Sequence, residues 1–221
     1  MAVRFRDRSE AGALLAARLR ERVRPPAVVL ALPRGGVPVG LEIAKALGCP
    51  LDLVMVRKVG APDQPELALG AVANGEQPER VVNAEVMRLT GAGEDYFAQA
   101  SARELEEIGR RRERYLAGRR PAPVQGRTAI VVDDGVATGA SMRAALRAVR
   151  RKRPERVVLA VPVAPPDTLA RLREEADEVV CLATPSWFSA VGQFYEDFSQ
   201  TSDEDVVAAL RAAPPSEEES E

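Results

Sequence analysis

Two adjacent acids, Asp133 and Asp134, close an apolar run at residues 129–132. Gly135 and Gly139 follow, with Thr138 and Ser141 beside the second glycine, and residues 142–152 (MRAALRAVRRK) read as a helix. The order is strand, acid pair, Gly/Thr/Ser turn, helix. Backbone N–H groups at a helix N-terminus bind anions, and the helix dipole favours negative charge there. Glycine lets the backbone approach a phosphate closely. Carboxylates are wrong for the phosphate itself but suit hydroxyls about one sugar away. The residues therefore ask for a ligand with a phosphate at one end and a diol beside it, a ribose 5-phosphate. A plain strand-to-helix turn with a capping acid accounts for one acid and one glycine, but not for the whole set.

VVDDGVATGAS resembles the ribose-phosphate signature of the type I phosphoribosyltransferases: apolar residues, two acids, three variable positions, Thr-Gly, one variable position, Ser or Thr. The resemblance implies that Asp133 and Asp134 hold the sugar 2- and 3-hydroxyls, directly or through Mg²⁺, the one cofactor expected. Ala137, Thr138, Gly139, Ala140 and Ser141 would hold the 5-phosphate. Arg34, Gly35 and Gly36 in PRGG would meet the pyrophosphate of phosphoribosyl pyrophosphate. A guanidinium fork and open backbone N–H groups suit that anion. Arg57 and Lys58 would start a loop, 57–66, that folds over the site, binds pyrophosphate and excludes water. Asp133, Asp134 and Lys58 are the candidate catalytic residues.

Position 137 bears on the acceptor. In family members that act on 6-oxopurines an Asp stands there and meets the base, whereas Ala137 can neither donate nor accept a proton through its side chain. Five of the nine aromatic residues fall between Trp187 and Phe198. Planar bases stack on aromatic rings, so Trp187, Phe188 and Tyr195 are acceptor-site candidates; packing of a C-terminal helix explains the cluster equally well. The implied activity is transfer of the ribose 5-phosphate to a nitrogenous acceptor. A binding protein that senses phosphoribosyl pyrophosphate or a nucleotide is the alternative, and a hydrolase or nucleoside phosphorylase-like activity using water or phosphate is a third reading.

Composition narrows the chemistry. The 221 residues carry a net charge of −2, so no global field points to nucleic acid. Histidine is absent, which removes His triads, His metal sites and a His general base. Lys45, Lys58 and Lys152 are the only lysines. Cys49 and Cys181 lie far apart and read as free thiols in a reducing compartment. No apolar run approaches the ~20 residues of a membrane helix, and charges interrupt the N-terminus where a leader needs its apolar core. A soluble cytoplasmic protein is expected, with no nucleic-acid or membrane partner. The arginine runs at 110–114 and 150–156 read as solvated helix faces, because acids precede the first and no aromatic residues interleave.

The elements that position these residues alternate. Ser9 is expected to cap a helix to about Arg22, and Pro25-Pro26 to break it. Strands are expected at 27–32, 51–56, 129–132, 156–161 and 178–182. Helices are expected at 41–47, 142–152, 167–175 and, capped by Ser202, 203–211. A strand from 67 pairs with 80–83 as a hairpin; Asn83 caps a short helix, and 94–117 is a long polar helix with Glu106–Arg110 and Glu107–Arg111 pairs. Alternation of β and α predicts an α/β fold: an open, mostly parallel twisted sheet with helices on both faces. A helical insertion at about 80–123, forming a subdomain or dimer contact, and a small hood at about 183–200 would complete a single domain, 1–211. Residues 212–221 read as a disordered acidic tail. The loops at 33–36, 57–66, 133–141 and 183–195 all follow strands, so they should meet at one sheet edge.

Overall fold

A computed structural model describes residues 4–74, 78–116 and 119–215 of the chain. Most of the expected acidic tail, and Ala117 at the end of the long helix, lie outside these residues.

Five parallel strands form the main sheet in the order β2-β1-β6-β7-β8. They are β1 (Ala27–Ala31), β2 (Leu51–Leu53), β6 (Thr128–Val132), β7 (Arg156–Val163) and β8 (Glu178–Ala183). Every residue of β1 and β6 is buried, as continuous apolar runs covered on both faces require. Side-chain alternation splits them between two cores. Val29, Ala31, Ile130 and Val132 pack with α1 (Arg8–Leu19), α2 (Gly36–Leu47) and α7 (Asp203–Ala212). Val28, Leu30, Ala129 and Val131 pack with α5 (Ala140–Arg151) and α6 (Pro166–Leu172). This is the open parallel α/β sheet that the alternation predicts.

Helix ends follow local chemistry. Ser202 accepts from Asp205 N–H at 3.0 Å while the Asp205 carboxylate accepts from Ser202 N–H at 2.8 Å, a reciprocal capping box. At α1 the cap is Asp7 rather than Ser9: its carboxylate accepts from Glu10 N–H at 2.8 Å. Asp is as good a cap as Ser, and it comes two residues earlier. Helix α2 begins at Gly36, the last residue of the PRGG turn, and ends on Gly48 as expected.

The larger departure concerns residues 54–66. The expected strand 51–56 stops at Leu53, and the expected loop 57–66 is a hairpin. Strand β3 (Val56–Ala61) turns at Pro62-Asp63 into β4 (Gln64–Ala73), and β5 (Glu79–Val82) adds a third antiparallel strand. Pro presets one turn residue, and Asp63 adopts the left-handed φ of 59° that Asp tolerates. Two helices hold this small sheet from opposite sides. Val59, Leu69 and Val72 join the core containing Phe97 and Ile108 of α4 (Glu94–Leu116). Ala71, Ala73 and Val81 pack on Ala144 and Ala148 of α5. The expected insertion 80–123 thus carries α3 (Ala84–Thr90) and α4, while its first strand completes a sheet that starts at Val56. Asn83 caps α3 by accepting from Val86 N–H.

Along α4, Glu107 pairs with Arg111 at 2.8 Å; Arg110 also turns to Glu107, at i,i+3, rather than to Glu106. Arg114 meets Asp203 and Glu204, Arg150 meets Asp177, and Arg156 meets Glu178. These pairings absorb much of the two arginine runs. Cys49 is buried, Cys181 is half-buried, and both are free thiols.

Candidate active site

The site grows from the carboxyl ends of β1 and β6, which are hydrogen-bonded neighbours in register from Ala27↔Thr128 to Ala31↔Val132. Leu32 N–H extends the ladder by donating to Val132 O at 2.9 Å. The turn at 33–36, whose Pro33–Arg34 peptide is cis, therefore lies against the acid pair. A β-carbon on Gly36 would stand 2.7 Å from Val132 O and 2.9 Å from Asp133 Cα, and one on Gly35 would overlap the Asp134 carboxylate. Two side-chain-free residues are required for this approach.

Asp133 Oδ1 accepts from Asp134 N–H at 2.8 Å, and the acids are half-buried. Burial, then the Asp134 charge, pushes the Asp133 carboxyl well above the ordinary range. Burial also raises Asp134, but a guanidinium opposes it. That group is Arg8, from the first turn of α1, 2.8 Å from Asp134 Oδ2. Arg8 also donates to Ser199 O at 2.7 Å and lies over the Phe198 ring, 4.0 Å from its centre. It ties the N-terminal helix and the end of the hood to the acid pair.

The turn after the acids is built to leave a helix end open. Gly139 is the N-cap of α5 with φ 83°, a conformation that favours glycine, and no side chain caps the helix. Ala137 and Thr138 are exposed, and Ala140 and Ser141 form the half-buried first turn of α5. The turn is pinned from α6: buried Thr168 donates its hydroxyl to Ala137 O at 2.7 Å. A cavity of about 460 Å³ opens beside Thr138, Gly139 and Ala140, and Lys58 on β3 lines its other side.

The remaining expected residues divide. Lys58 faces this cavity, whereas Arg57 points to the opposite face of β3 and pairs with Glu104 of α4 at 2.7 Å. Successive strand residues point to opposite faces, so the strand separates a pair that a loop would have let act together. Arg34 reaches Asp203 of α7 at 3.5 Å, and Asp203 also accepts the Tyr115 hydroxyl at 2.6 Å and pairs with Arg114. In the hood, Trp187 is 75 % exposed, and Phe188 is half-buried with its ring 5.3 Å from that of Phe194. Tyr195 is 2 % exposed and donates its hydroxyl to Asp134 O at 2.6 Å. Its ring is used in packing on Phe5 and Phe198. Tyr195 therefore positions the acid turn here, and only Trp187 offers an open face.

Loops 33–36, 133–141 and the hood meet as the strand ends predict, with β3 in place of the fourth loop. Arg8, Thr168, Tyr115 and Asp203 escape the sequence reading. Each lies dozens of residues or more from its partner, and no spacing links them.

The structure thus defines an open parallel α/β protein with an acid pair and an uncapped helix N-terminus at the carboxyl edge of its sheet, where such folds bind ligands and helix N-termini bind anions. The model of the phosphoribosyl transferase domain matches residues 8–199, and the chain belongs to that family. It is 51 % identical, over 95 % of its length, to the Mycobacterium tuberculosis protein named "Putative phosphoribosyl transferase Rv0571c". It spans about half of that relative, 47 %. The solved structure of TT1426 from Thermus thermophilus is 50 % identical, with a TM-score of 0.79 over 94 % of this chain and 98 % of that one. The Aquifex aeolicus protein AQ2163, at 12 % identity and a TM-score of 0.51 over 93 % of this chain and 85 % of that one, shares the fold alone.

Proposed function

We propose that the protein transfers the ribose 5-phosphate of phosphoribosyl pyrophosphate to a nitrogenous acceptor and releases pyrophosphate. The observation that carries this is the contact of three elements: the acid pair, the uncapped N-terminus of α5, and the glycine turn pressed against Asp134. The N–H groups of 138–141 take the 5-phosphate. Asp133 and Asp134 take the diol, and the Gly35-Gly36 backbone faces the pyrophosphate. As the bond from the anomeric carbon to pyrophosphate breaks, positive charge grows on the sugar, and fixed carboxylates favour it. No covalent nucleophile is required.

The residues fit Mg²⁺ only together with substrate oxygens. Among the described residues no group of three or more His, Cys, Asp or Glu side chains converges. Mg²⁺ retains waters and takes few protein ligands, so Asp133 and Asp134 would supply its protein ligands, with substrate oxygens and waters completing the shell. When bound it would offset the charge of the departing pyrophosphate. At position 137 the side chain is a methyl group and the carbonyl is engaged by Thr168, which argues against a 6-oxopurine acceptor.

One observation favours a second reading, a sensor that binds without turnover. Arg34 and Arg57, both expected at the pyrophosphate, are engaged by Asp203 and Glu104. Incubation with Mg²⁺, phosphoribosyl pyrophosphate and a panel of bases and amines separates the two. Acceptor-dependent pyrophosphate release supports the transferase, and tight binding without release supports the sensor. The double variant Asp133→Asn, Asp134→Asn should lose binding in either case; retained tight binding would overturn the site.

A further inference from the structure

We infer that the β3–β5 sheet supplies the outer wall of the 5-phosphate site, with Lys58 as a ligand to the sugar phosphate rather than to pyrophosphate. The inference rests on the ribose-phosphate reading above and reassigns a residue within it.

Strand geometry comes first. Lys58 is paired with Ala71, and Ala71 packs on α5, the helix whose N-terminus carries the phosphate turn. Alternation along β3 sends Arg57 and Val59 to the α4 side and Lys58 to the α5 side. The cavity follows from this. Lys58 shares it with Thr138, Gly139 and Ala140, and none of residues 33–36 lines it. The lysine thus stands across from the N-terminus of α5, while the turn at 33–36 lies against the acid pair and outside the cavity.

Charge gives the second argument. A phosphate monoester carries nearly two negative charges, and a helix N-terminus offers only about half a positive one. The cavity adds Lys58, Arg143 of α5 and Arg171 of α6. Lys58 makes no ion pair among the described residues. Among the described residues Arg171 makes only a long 3.5 Å contact with Thr168, and Arg143 shares Glu175 with Arg147 at a loose 3.4 Å. Three cations on three elements with little negative charge among them await an anion. The same sheet adds Leu67 and Val82 to the cavity lining. Such a wall discriminates: it rewards a donor phosphorylated at C5 and gives nothing to an unphosphorylated ribosyl donor.

The test uses the two halves of the donor separately. Ribose 5-phosphate and inorganic pyrophosphate are each titrated, with Mg²⁺, into the intact protein and into Lys58→Met by calorimetry. Lys58 is exposed, so the variant is expected to fold, and a thermal melt checks it. The expected result is at least a tenfold loss in ribose 5-phosphate affinity, with pyrophosphate affinity unchanged within twofold. Lys58→Arg should restore most of the loss. A loss confined to pyrophosphate returns Lys58 to the leaving-group side and overturns the inference, as does a variant that binds both ligands like the native protein. If the native protein binds neither, the ribose-phosphate reading itself fails, a different outcome from either of these.

Discussion

Replacing Arg8 with glutamine isolates the charge against which the acid pair sits. The guanidinium and Asp134 are 2.8 Å apart, with side chains only 12 % and 13 % exposed. Opposite charges with centres about 4 Å apart attract by about 4 kcal/mol at an effective dielectric near 20. Removing one partner of a buried pair costs about 3–5 kcal/mol, because the other is left uncompensated. Residual exposure and the option of protonating Asp134 reduce this, so Arg8→Gln should lose about 2–4 kcal/mol at neutral pH. The pH dependence has a definite sign. Burial raises Asp134 and Arg8 opposes that rise; without Arg8 the folded-state pKa climbs further above its unfolded value. The folded variant then binds a proton that the unfolded chain does not, so its deficit is full above the folded pKa and shrinks as pH falls through it. Urea denaturation followed by far-UV circular dichroism, with EDTA present, measures this from pH 8 to pH 5. Adding Asp134→Asn should recover most of the loss, because it removes the stranded charge. A deficit below about 1 kcal/mol with no pH dependence would show the pair to be screened by solvent and refute the reasoning.

Two further outcomes follow from buried hydroxyls. The Tyr115 phenol is pushed up to about 12 by burial and then by its hydrogen bond to Asp203, against about 10 in the unfolded chain. Its contribution is complete below the unfolded value and is lost as pH rises through the folded one. Tyr115→Phe should therefore flatten the alkaline decline in stability, and a decline identical to the native protein's would count against this assignment. Thr168→Val keeps shape but removes the donor to Ala137 O. It should cost about 1 kcal/mol in denaturation and weaken ribose 5-phosphate several-fold in calorimetry, because the phosphate turn loses its anchor.

The parallel sheet and the acid-pair turn were legible because both are local. Continuous apolar runs mark buried strands, and six spaced positions mark the turn. Residues 57–66 misled because Gly60, Pro62 and Pro65 are loop residues by composition. They form a strand turn instead, since α4 and α5 offer apolar beds on both sides of the hairpin. That single difference sent Arg57 and Lys58 to different helices. Arg8 was illegible for another reason: it is 126 positions from Asp134, and only the folded chain brings α1 to the end of β6. The aromatic cluster at 187–198 held both readings, and burial distinguishes Tyr195, committed to Asp134, from Trp187, open to solvent.

The register between β1 and β6 has a consequence for how specificity can change. The turns at 33–36 and 133–141 leave adjacent, hydrogen-bonded strands, so their roots are one strand spacing apart, about 4.8 Å. Backbone geometry sets that gauge, and no side-chain exchange can widen it. Substitutions can alter the charge or grip at either turn, but under the transfer proposed here the span from leaving group to sugar is inherited with the sheet. The hood, with its short 3-10 turn and irregular backbone, lies outside that gauge, so an acceptor held there would be free of this constraint. Divergence among relatives with this sheet should therefore accumulate in what the sugar is joined to, while the size of the donor stays fixed.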